Sequence, residues 1–267
     1  MIKVNRKELE LNHFPDGTLH LAPTFVVGKV NNIIWKYENE EELIALIYIA
    51  NYLKEHGGEE NTLYMPYIPN ARMDRVKNKE DVFTLKYFAN IINSLGFKQV
   101  KVLDPHSSVS EALINNLSKI DLESLINDVL CRVIENNCGD IVIYFPDSGA
   151  YKKYEEIFNG KYPTCYGIKH RNWKTGKIEG LEVITNGIDL KDKTVLMVDD
   201  ICSYGTTIWK SAEALNKLGV KCIYAYVSHC ENSILDGNVL KCGLIKRVFT
   251  TNSIFSSKHD LIDVIDI

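Results

Sequence analysis

The segment that decides the fold reads TVLMVDDICSYGTT, residues 194–207. It begins as a short apolar run, typical of a buried strand, and ends in small residues before a predicted helix. The backbone N–H groups of such a turn, together with a helix N-terminus, can bind a phosphate group. Asp199 and Asp200 can accept hydrogen bonds from the hydroxyls of a sugar. Residues 199–207, which we call the acidic loop, therefore predict a sugar-phosphate site; the plainer alternative is a strand-turn-helix with solvated acids.

Other short apolar runs alternate with helical stretches, a pattern typical of parallel strands joined by crossover helices. The predicted strands are residues 63–67, 99–104, 141–146, 194–199, 222–228 and 247–251. The predicted helices are residues 40–56, 82–95 and 207–218, each followed by a glycine. Because this alternation occurs in both halves, we predict an α/β protein with two domains, 1–118 and 119–267, each a mainly parallel sheet flanked by helices. Residues 115–120 are the predicted seam.

Composition is that of a globular protein with a buried core. Hydrophobic residues make up 45% of the 267 residues, charged residues 25%, and the net charge is −4. A chain with this charge has no basic field for nucleic acid. Seven cysteines without a C-x-x-C pair indicate neither a disulfide framework nor a zinc site. The chain shows no apolar signal stretch and no run of about 18 apolar residues, so we expect a cytoplasmic protein without a membrane partner.

Ligands of open α/β sheets bind beyond the carboxyl ends of the strands, so the residues that follow each strand are candidates for chemistry. Arginine, aspartate and histidine dominate these positions. The candidates are Arg72, Met73, Asp74, Arg75, His106, Asp147, Asp199 and Asp200. Taken singly, a histidine after a strand is more often structural than a ligand. Their order along the chain carries more information than any one of them.

That order resembles the ribose-phosphate diphosphokinases, or PRPP synthetases, which have the phosphoribosyltransferase fold. The matching segments are FPDG at residues 14–17, PYIPNARMDR at 66–75, DPH at 104–106, PDSG at 146–149, KHR at 169–171 and the acidic loop. The resemblance spans most of the chain. It implies Mg²⁺-dependent transfer of the β,γ-diphosphate of ATP to the 1-hydroxyl of a ribose 5-phosphate unit, with release of AMP.

The resemblance also assigns roles to residues. The residues implied to bind ATP are Phe14, Asp16, Arg72, Met73, Asp74, Arg75 and His106. Those implied in catalysis are Lys169, Arg171 and His106, and those implied to hold Mg²⁺ are His106 and Asp147. The sugar phosphate is assigned to Asp147, Asp199, Asp200, Cys202, Ser203, Tyr204, Gly205, Thr206 and Thr207. Because the FPDG segment of such proteins serves the adenine of a neighbouring subunit, a homo-oligomer, either a dimer or a hexamer, is implied as well.

The acidic loop departs from the family pattern, in which Asp-Asp-x-x-Asp-Thr-Gly-Gly-Thr is usual. Ser203 replaces an acid, Tyr204 a threonine and Thr206 a glycine. Two acceptors therefore stay open: ribose 5-phosphate, giving PRPP, or an extended substrate such as ADP-ribose, giving ADP-ribose 1-diphosphate and a place in nucleotide or NAD metabolism. Two other functions also stay open, a catalytically silent regulatory relative and a phosphoribosyltransferase that consumes PRPP.

Overall fold

The computed structural model describes residues 1–136, 139–158, 160–171 and 178–267. The chain divides into two compact units, Met1–Leu122 and Glu123–Ile267. Each unit has one large sheet and a hydrophobic core of its own. The predicted fold class, α/β with two mainly parallel sheets flanked by helices, is confirmed.

The sheet of the first unit has six strands in the order β2-β1-β5-β6-β7-β8. The strands of this unit are β1 (Ile2–Val4), β2 (Lys7–Glu8), β3 (Asn12–His13), β4 (Leu19–His20), β5 (Val30–Trp35), β6 (Glu60–Tyr64), β7 (Gln99–Val102) and β8 (Leu117–Lys119). Its helices are α1 (Glu41–Glu55), α2 (Thr84–Ser94) and α3 (Ser108–Leu113). Strands β5 to β8 are parallel, β1 and β2 extend one edge in antiparallel fashion, and β3 and β4 form a separate hairpin.

Helix α1 is anchored in the core of the first unit because its apolar residues recur at helical spacing. Leu46, Ile49 and Leu53 share one face, and each is at most 1% exposed. Burying each such side chain contributes roughly 1.5–3 kcal/mol. The chain leaves the helix through Gly57, whose φ of 91° lies in the left-handed region that glycine adopts without strain.

The second unit contains a seven-stranded sheet with helices before and between its strands. Its elements are α4 (Leu122–Asn136), β9 (Ile141–Phe145), α5 (Ser148–Phe158), β10 (Thr164–Arg171), β11 (Ile178–Ile184), β12 (Thr194–Cys202), α6 (Thr206–Lys217), β13 (Cys222–Cys230), a short 3₁₀ helix (Asn232–Asp236), β14 (Ile245–Thr251) and β15 (Ile262–Ile265). The order is β11-β10-β9-β12-β13-β14-β15, and only the β10–β11 pair in this described sheet is antiparallel.

The central strands of this sheet position the candidate site. Every residue of β9 and of β13 is buried, which explains why β9, and β13 as far as Val227, are continuous apolar runs in the sequence. Strands β9 and β12 are parallel neighbours. The segments that follow them therefore emerge at the same edge of the sheet, which brings the region after β9 close to the acidic loop.

Several strand boundaries near the candidate site differ from the prediction by one to three residues, and those of β6 and β12 bear most on the site. Strand β6 ends at Tyr64, and residues 65–69 form a buried irregular segment instead of continuing the strand to residue 67. Strand β12 continues to Cys202, so Asp199 and Asp200 lie within it and not after it. The reason is that pairing with β13 continues to Cys202, whatever the polarity of the side chains.

The predicted seam at residues 115–120 contains β8, which pairs with β7 in the first sheet. The compact units divide between Leu122 and Glu123. We therefore propose a domain boundary after β8, slightly beyond the predicted division between residues 118 and 119.

Candidate functional site

Helix α6 begins where the acidic loop ends. Gly205 adopts the left-handed conformation with φ 69°, and the helix starts at Thr206, one residue earlier than predicted. The first N–H groups of a helix have no acceptor within the helix. The turn at Gly205 thus presents backbone donors at the carboxyl end of β12, an arrangement suited to an anion such as phosphate.

The backbone of the acidic loop packs tightly against the segment after β13. A Cβ added to Gly205 would lie 2.4 Å from Cγ1 of Val239. A Cβ added to Gly237 would lie 2.0 Å from the carbonyl oxygen of Tyr204. Since real Cβ contacts are longer than this, both positions require glycine, and the segment around Val239 fixes the shape of the turn.

The three residues before the turn have different surroundings. Tyr204 is 57% exposed, so most of its ring faces solvent. The Oγ of Ser203 lies 3.0 Å from the Oγ of Ser233. Cys202 is buried in the core, and a hydrogen bond with Cys230, together with burial, raises the pKa of its thiol well above the usual value. We therefore retain only the backbone of Cys202 in the proposed sugar-phosphate site.

The two adjacent carboxylates are held by different contacts. The N–H of Asp200 donates to Oδ1 of Asp199 at 3.0 Å, and the N–H of Ile201 donates to Oδ1 of Asp200 at 2.7 Å. Nζ of Lys153 donates to Oδ2 of Asp200 at 3.3 Å. Asp200 is buried, whereas Asp199 is half-buried. Asp199 is therefore the more open of the two.

Asp147 lies between β9 and α5 and caps that helix. Its Oδ1 accepts hydrogen bonds from the N–H groups of Gly149 and Ala150, both at 3.0 Å. This is the usual contact of an aspartate at a helix N-terminus. The structural role and a binding role are compatible, because a carboxylate has two oxygens and about four acceptor positions.

In the first unit, residues 66–75 form what we call the arginine loop, which follows β6. Its first part is anchored in the core, with Ile68 and Ala71 each 2% exposed. Arg72 and Arg75 are exposed. The loop thus holds two guanidinium groups at the surface on a fixed base, which is a geometry suited to a polyphosphate.

Asp74 lies buried between the two arginines. Nε of Arg75 donates to its Oδ1 at 3.0 Å. Burial opposes ionisation of Asp74, but the hydrogen bond from Arg75 and nearby positive charge, including that of His106, hold the pKa of Asp74 below its usual value. The arginine loop and His106, which precedes α3, are therefore electrostatic neighbours. Met73 is half-buried beside them.

The β3–β4 hairpin displays Phe14 and uses Asp16 to shape its turn. Oδ1 of Asp16 accepts hydrogen bonds from the N–H of Thr18 at 3.0 Å and from its hydroxyl at 2.7 Å, and both lower the pKa of Asp16. Phe14 is 50% exposed, with its ring 4.7 Å from that of His20. An aromatic side chain displayed in this way is available to a ligand or to a second chain.

Lys169 and Arg171 lie on β10, where the backbone of Lys169 is opposite Leu181 of β11. The side chains of Lys169 and Arg171 lie outside the part of the chain that the structure describes. Their catalytic role stays a prediction.

Sequence reasoning missed Lys153, which contacts Asp200 across 47 positions of sequence. It lies on α5, four residues after Gly149, so it shares a side of the helix with the start of that helix. That spacing was the available signal. An isolated lysine at this position otherwise looks like a solvated surface residue.

Among the described residues, no group of three or more His, Cys, Asp or Glu side chains is arranged to bind a metal ion by itself. Within the same residues, none of the helices combines the length and the apolar character needed to cross a membrane.

Comparison with known proteins gives a consistent result. Residues 153–257 match the family described as Phosphoribosyl transferase domain. The chain is 26% identical over 232 residues to a ribose-phosphate pyrophosphokinase of Thermococcus kodakarensis, with 83% of this chain and 77% of the relative covered. It is 27% identical over 266 residues to a ribose-phosphate pyrophosphokinase of Saccharolobus solfataricus, with 96% and 88% covered.

The fold is also shared with a solved structure. The crystal structure of phosphoribosylpyrophosphate synthetase from Mycobacterium smegmatis matches with a TM-score of 0.77, over 97% of this chain and 86% of that one. At 18% sequence identity, this likeness establishes the fold.

Proposed function

We propose that this chain acts as a ribose-phosphate pyrophosphokinase, which transfers the β,γ-diphosphate of ATP to the 1-hydroxyl of a ribose 5-phosphate unit and releases AMP. The observation that carries the proposal is the acidic loop. There, paired aspartates, a left-handed glycine and the N-terminus of α6 follow one another at the end of β12. The similarity to pyrophosphokinases over most of both sequences supports it.

The proposed sugar-phosphate site is the acidic loop. The 5-phosphate would accept hydrogen bonds from the backbone of Gly205 and from Thr206 and Thr207 at the start of α6. The ribose hydroxyls would donate to carboxylates, with Asp199 as the more open acceptor. An ionised carboxylate only accepts hydrogen bonds, so it matches a pair of hydroxyl donors.

The proposed nucleotide site is the arginine loop. Arg72 and Arg75 would bind ATP phosphates, which a planar guanidinium can hold through two parallel hydrogen bonds. Nε of Arg75 donates to Asp74, so we assign phosphate binding to the two terminal nitrogens of Arg75. A second copy of the chain would contribute Phe14 and Asp16 to the adenine, which the exposure of the Phe14 ring permits.

Magnesium is expected to bind together with the substrate phosphates. Mg²⁺ keeps several waters and uses one or two carboxylates together with substrate phosphates. Asp147, a half-buried carboxylate at the edge where β9 ends, fits that donor set, and His106 would act directly or through water. When bound, the ion supplies positive charge to the diphosphate.

In the proposed reaction, the 1-hydroxyl oxygen attacks the β-phosphorus of ATP. The bond between that phosphorus and the oxygen bridging to the α-phosphorus breaks, AMP leaves with that oxygen, and the hydroxyl proton is lost to solvent. Negative charge is spread over non-bridging oxygens in such transfers, so fixed cations supply much of the catalysis. Lys169 and Arg171 on β10 are the residues proposed for this role.

The acceptor is the open point. We propose that ribose 5-phosphate and an extended 5-phosphoribosyl compound such as ADP-ribose deserve equal testing. Tyr204 replaces the threonine of the family pattern and exposes most of its ring beside the phosphate turn. An exposed ring leaves the turn open to a simple 5-phosphate, and it can also stack on a base carried beyond that phosphate.

The test is to incubate the purified protein with ATP and Mg²⁺, with either acceptor, and to follow AMP. AMP release that depends on an acceptor is the expected result, and equal or better rates with ribose 5-phosphate would remove the extended acceptor. Absence of acceptor-dependent AMP with both compounds would contradict the proposal. It would favour the silent regulatory relative, or the transferase that consumes PRPP if the protein then releases diphosphate from PRPP and a base.

A further inference from the structure

The ion pair between Lys153 and Asp200 lies next to the acidic loop and has no part in the function described above. Their charged atoms are 3.3 Å apart, and the side chains are 26% and 12% exposed. The pair is therefore less exposed to solvent than a surface ion pair, so the attraction between the two charged groups is screened less. Lys153 belongs to α5, and Asp200 belongs to β12.

The position of Lys153 is set by the packing of α5. Ala150, Tyr154 and Phe158 bury one face of this helix, and Tyr154 is fully buried. Nζ of Lys153 also lies 5.2 Å from the ring centre of Tyr154, within the range of a cation–π contact. A helix anchored in this way holds the ammonium group over the sheet.

Both oxygens of Asp200 are consequently engaged. Oδ1 accepts the N–H of Ile201, and Oδ2 accepts from Lys153. With its two oxygens held from two directions, the carboxylate has a fixed rotation.

We propose that Lys153 is a positioning residue for the sugar: it holds the carboxylate of Asp200 so that the Asp199–Asp200 pair can accept the hydroxyls of a 5-phosphoribosyl substrate. This inference rests on the proposed function and adds a residue that sets acceptor affinity. It acts through Asp200 and does not touch the diphosphate. Its loss should therefore raise KM for the acceptor while the KM for ATP stays close to that of the wild type.

The experiment measures both KM values and kcat for Lys153→Met, Lys153→Arg and Lys152→Met. Lys152 is the exposed neighbour on the same helix, so its replacement removes the same charge without the pair. Lys153→Met should raise the acceptor KM about tenfold, the effect of losing one partly shielded charge-assisted hydrogen bond. Lys153→Arg should restore most of the affinity, and Lys152→Met should leave it unchanged.

A double-mutant cycle separates positioning from general stability. Asp200→Asn removes the charge that Lys153 pairs with, so adding Lys153→Met to it should raise the acceptor KM less than twofold further. A full tenfold additional loss would overturn the inference, as would an unchanged acceptor KM in Lys153→Met or an equal rise in both KM values. If Lys153→Met does not fold, Lys153→Arg is compared with Asp200→Asn instead. The inference then requires that Lys153→Arg retains the acceptor affinity that Asp200→Asn loses.

Direct binding of ribose 5-phosphate, measured by calorimetry, distinguishes this inference from the proposed function. A wild-type protein that binds the sugar phosphate but transfers no diphosphate would contradict the proposed function and still test Lys153 through affinity. A wild-type protein that binds neither ribose 5-phosphate nor ADP-ribose would overturn both.

Discussion

The arginine loop and the acidic loop both hold polar side chains on an anchored backbone, but they differ in how closely their sequences follow the family pattern. Both place polar side chains on a base anchored in a core: Ile68 and Ala71 anchor the first, and the contact of Gly205 with Val239 anchors the second. The arginine loop retains the arginines of the signature. The acidic loop retains its aspartates but changes the turn that follows them. The difference teaches that this chain departs from the family pattern in the acidic loop, which we propose as the sugar-phosphate site, more than at the arginines that we propose to bind ATP.

The largest effect is expected from the arginine loop. Replacing Arg72 with alanine should lower kcat/KM for ATP by about 10³-fold, because one fixed cation is removed from the developing charge. The acceptor KM should change little. Lys79→Ala, an exposed charge shortly after the loop, is the control. The measurement is steady-state kinetics with each substrate varied in turn. If Arg72→Ala changed only the acceptor KM, the assignment of ATP to the arginine loop and of the acceptor to the acidic loop would be contradicted.

The next effect concerns the stability of the acidic loop. Gly205→Ala forces a side chain into the left-handed region and against Val239, and should lower the free energy of unfolding by about 3 kcal/mol. Gly243 has the same φ of 69°, and among the described atoms none lies within 4 Å of its added Cβ. Gly243→Ala should therefore cost only the backbone strain, about 1 kcal/mol. Denaturant unfolding compares the two, and equal losses would show that the contact with Val239 is unimportant.

A smaller effect tests the changed turn. If the exposed ring of Tyr204 stacks on the base of an extended acceptor, Tyr204→Thr should shift the ratio of kcat/KM for ADP-ribose over ribose 5-phosphate by about tenfold toward ribose 5-phosphate. Tyr87→Thr is the matched control, since Tyr87 is 56% exposed and Tyr204 57%. An unchanged ratio would leave Tyr204 as a surface residue without a role in acceptor choice.

The smallest effect is a pH dependence of stability in the arginine loop. The pKa of Asp74 is held low in the folded state, so its contribution is complete above the unfolded carboxyl value of about 3.9 and is lost as pH falls through the lower folded value. Asp74→Asn should therefore reduce the free energy of unfolding by about 0.5 kcal/mol at pH 7. The difference from wild type should shrink below about pH 4. A difference that grows on acidification would contradict this sign.

The parts that the sequence predicts well are those in which local pattern and burial agree. Helix α1 follows from the spacing of Leu46, Ile49 and Leu53, and the central strands follow from their apolar runs. The turn at Gly205 and the helix that begins at Thr206 could also be predicted, because small residues before an apolar periodic stretch indicate a turn followed by a helix.

The parts that were missed depend on partners far along the chain. Strand β5 contains two consecutive asparagines after its first residue, and its Asn31 is fully buried, with its amide donating to Asn61 at 2.9 Å. The sequence around Asn31 contains no pattern that predicts Asn61 as its partner. The extension of β12 through Asp199 likewise depends on its pairing with β13. The role proposed for Lys153 depends on its contact with Asp200. These are tertiary contacts, which a local pattern does not contain.

The measurement that tests the central claim most directly is the fate of labelled phosphorus. The protein would be given Mg²⁺, an acceptor, and ATP labelled either at the γ- or at the α-phosphorus. Diphosphate transfer predicts that the γ-label enters the sugar product, that the α-label stays in AMP, and that product and AMP form in equal amounts. Formation of ADP with a singly phosphorylated sugar, or of inorganic phosphate without a labelled sugar, would contradict the account.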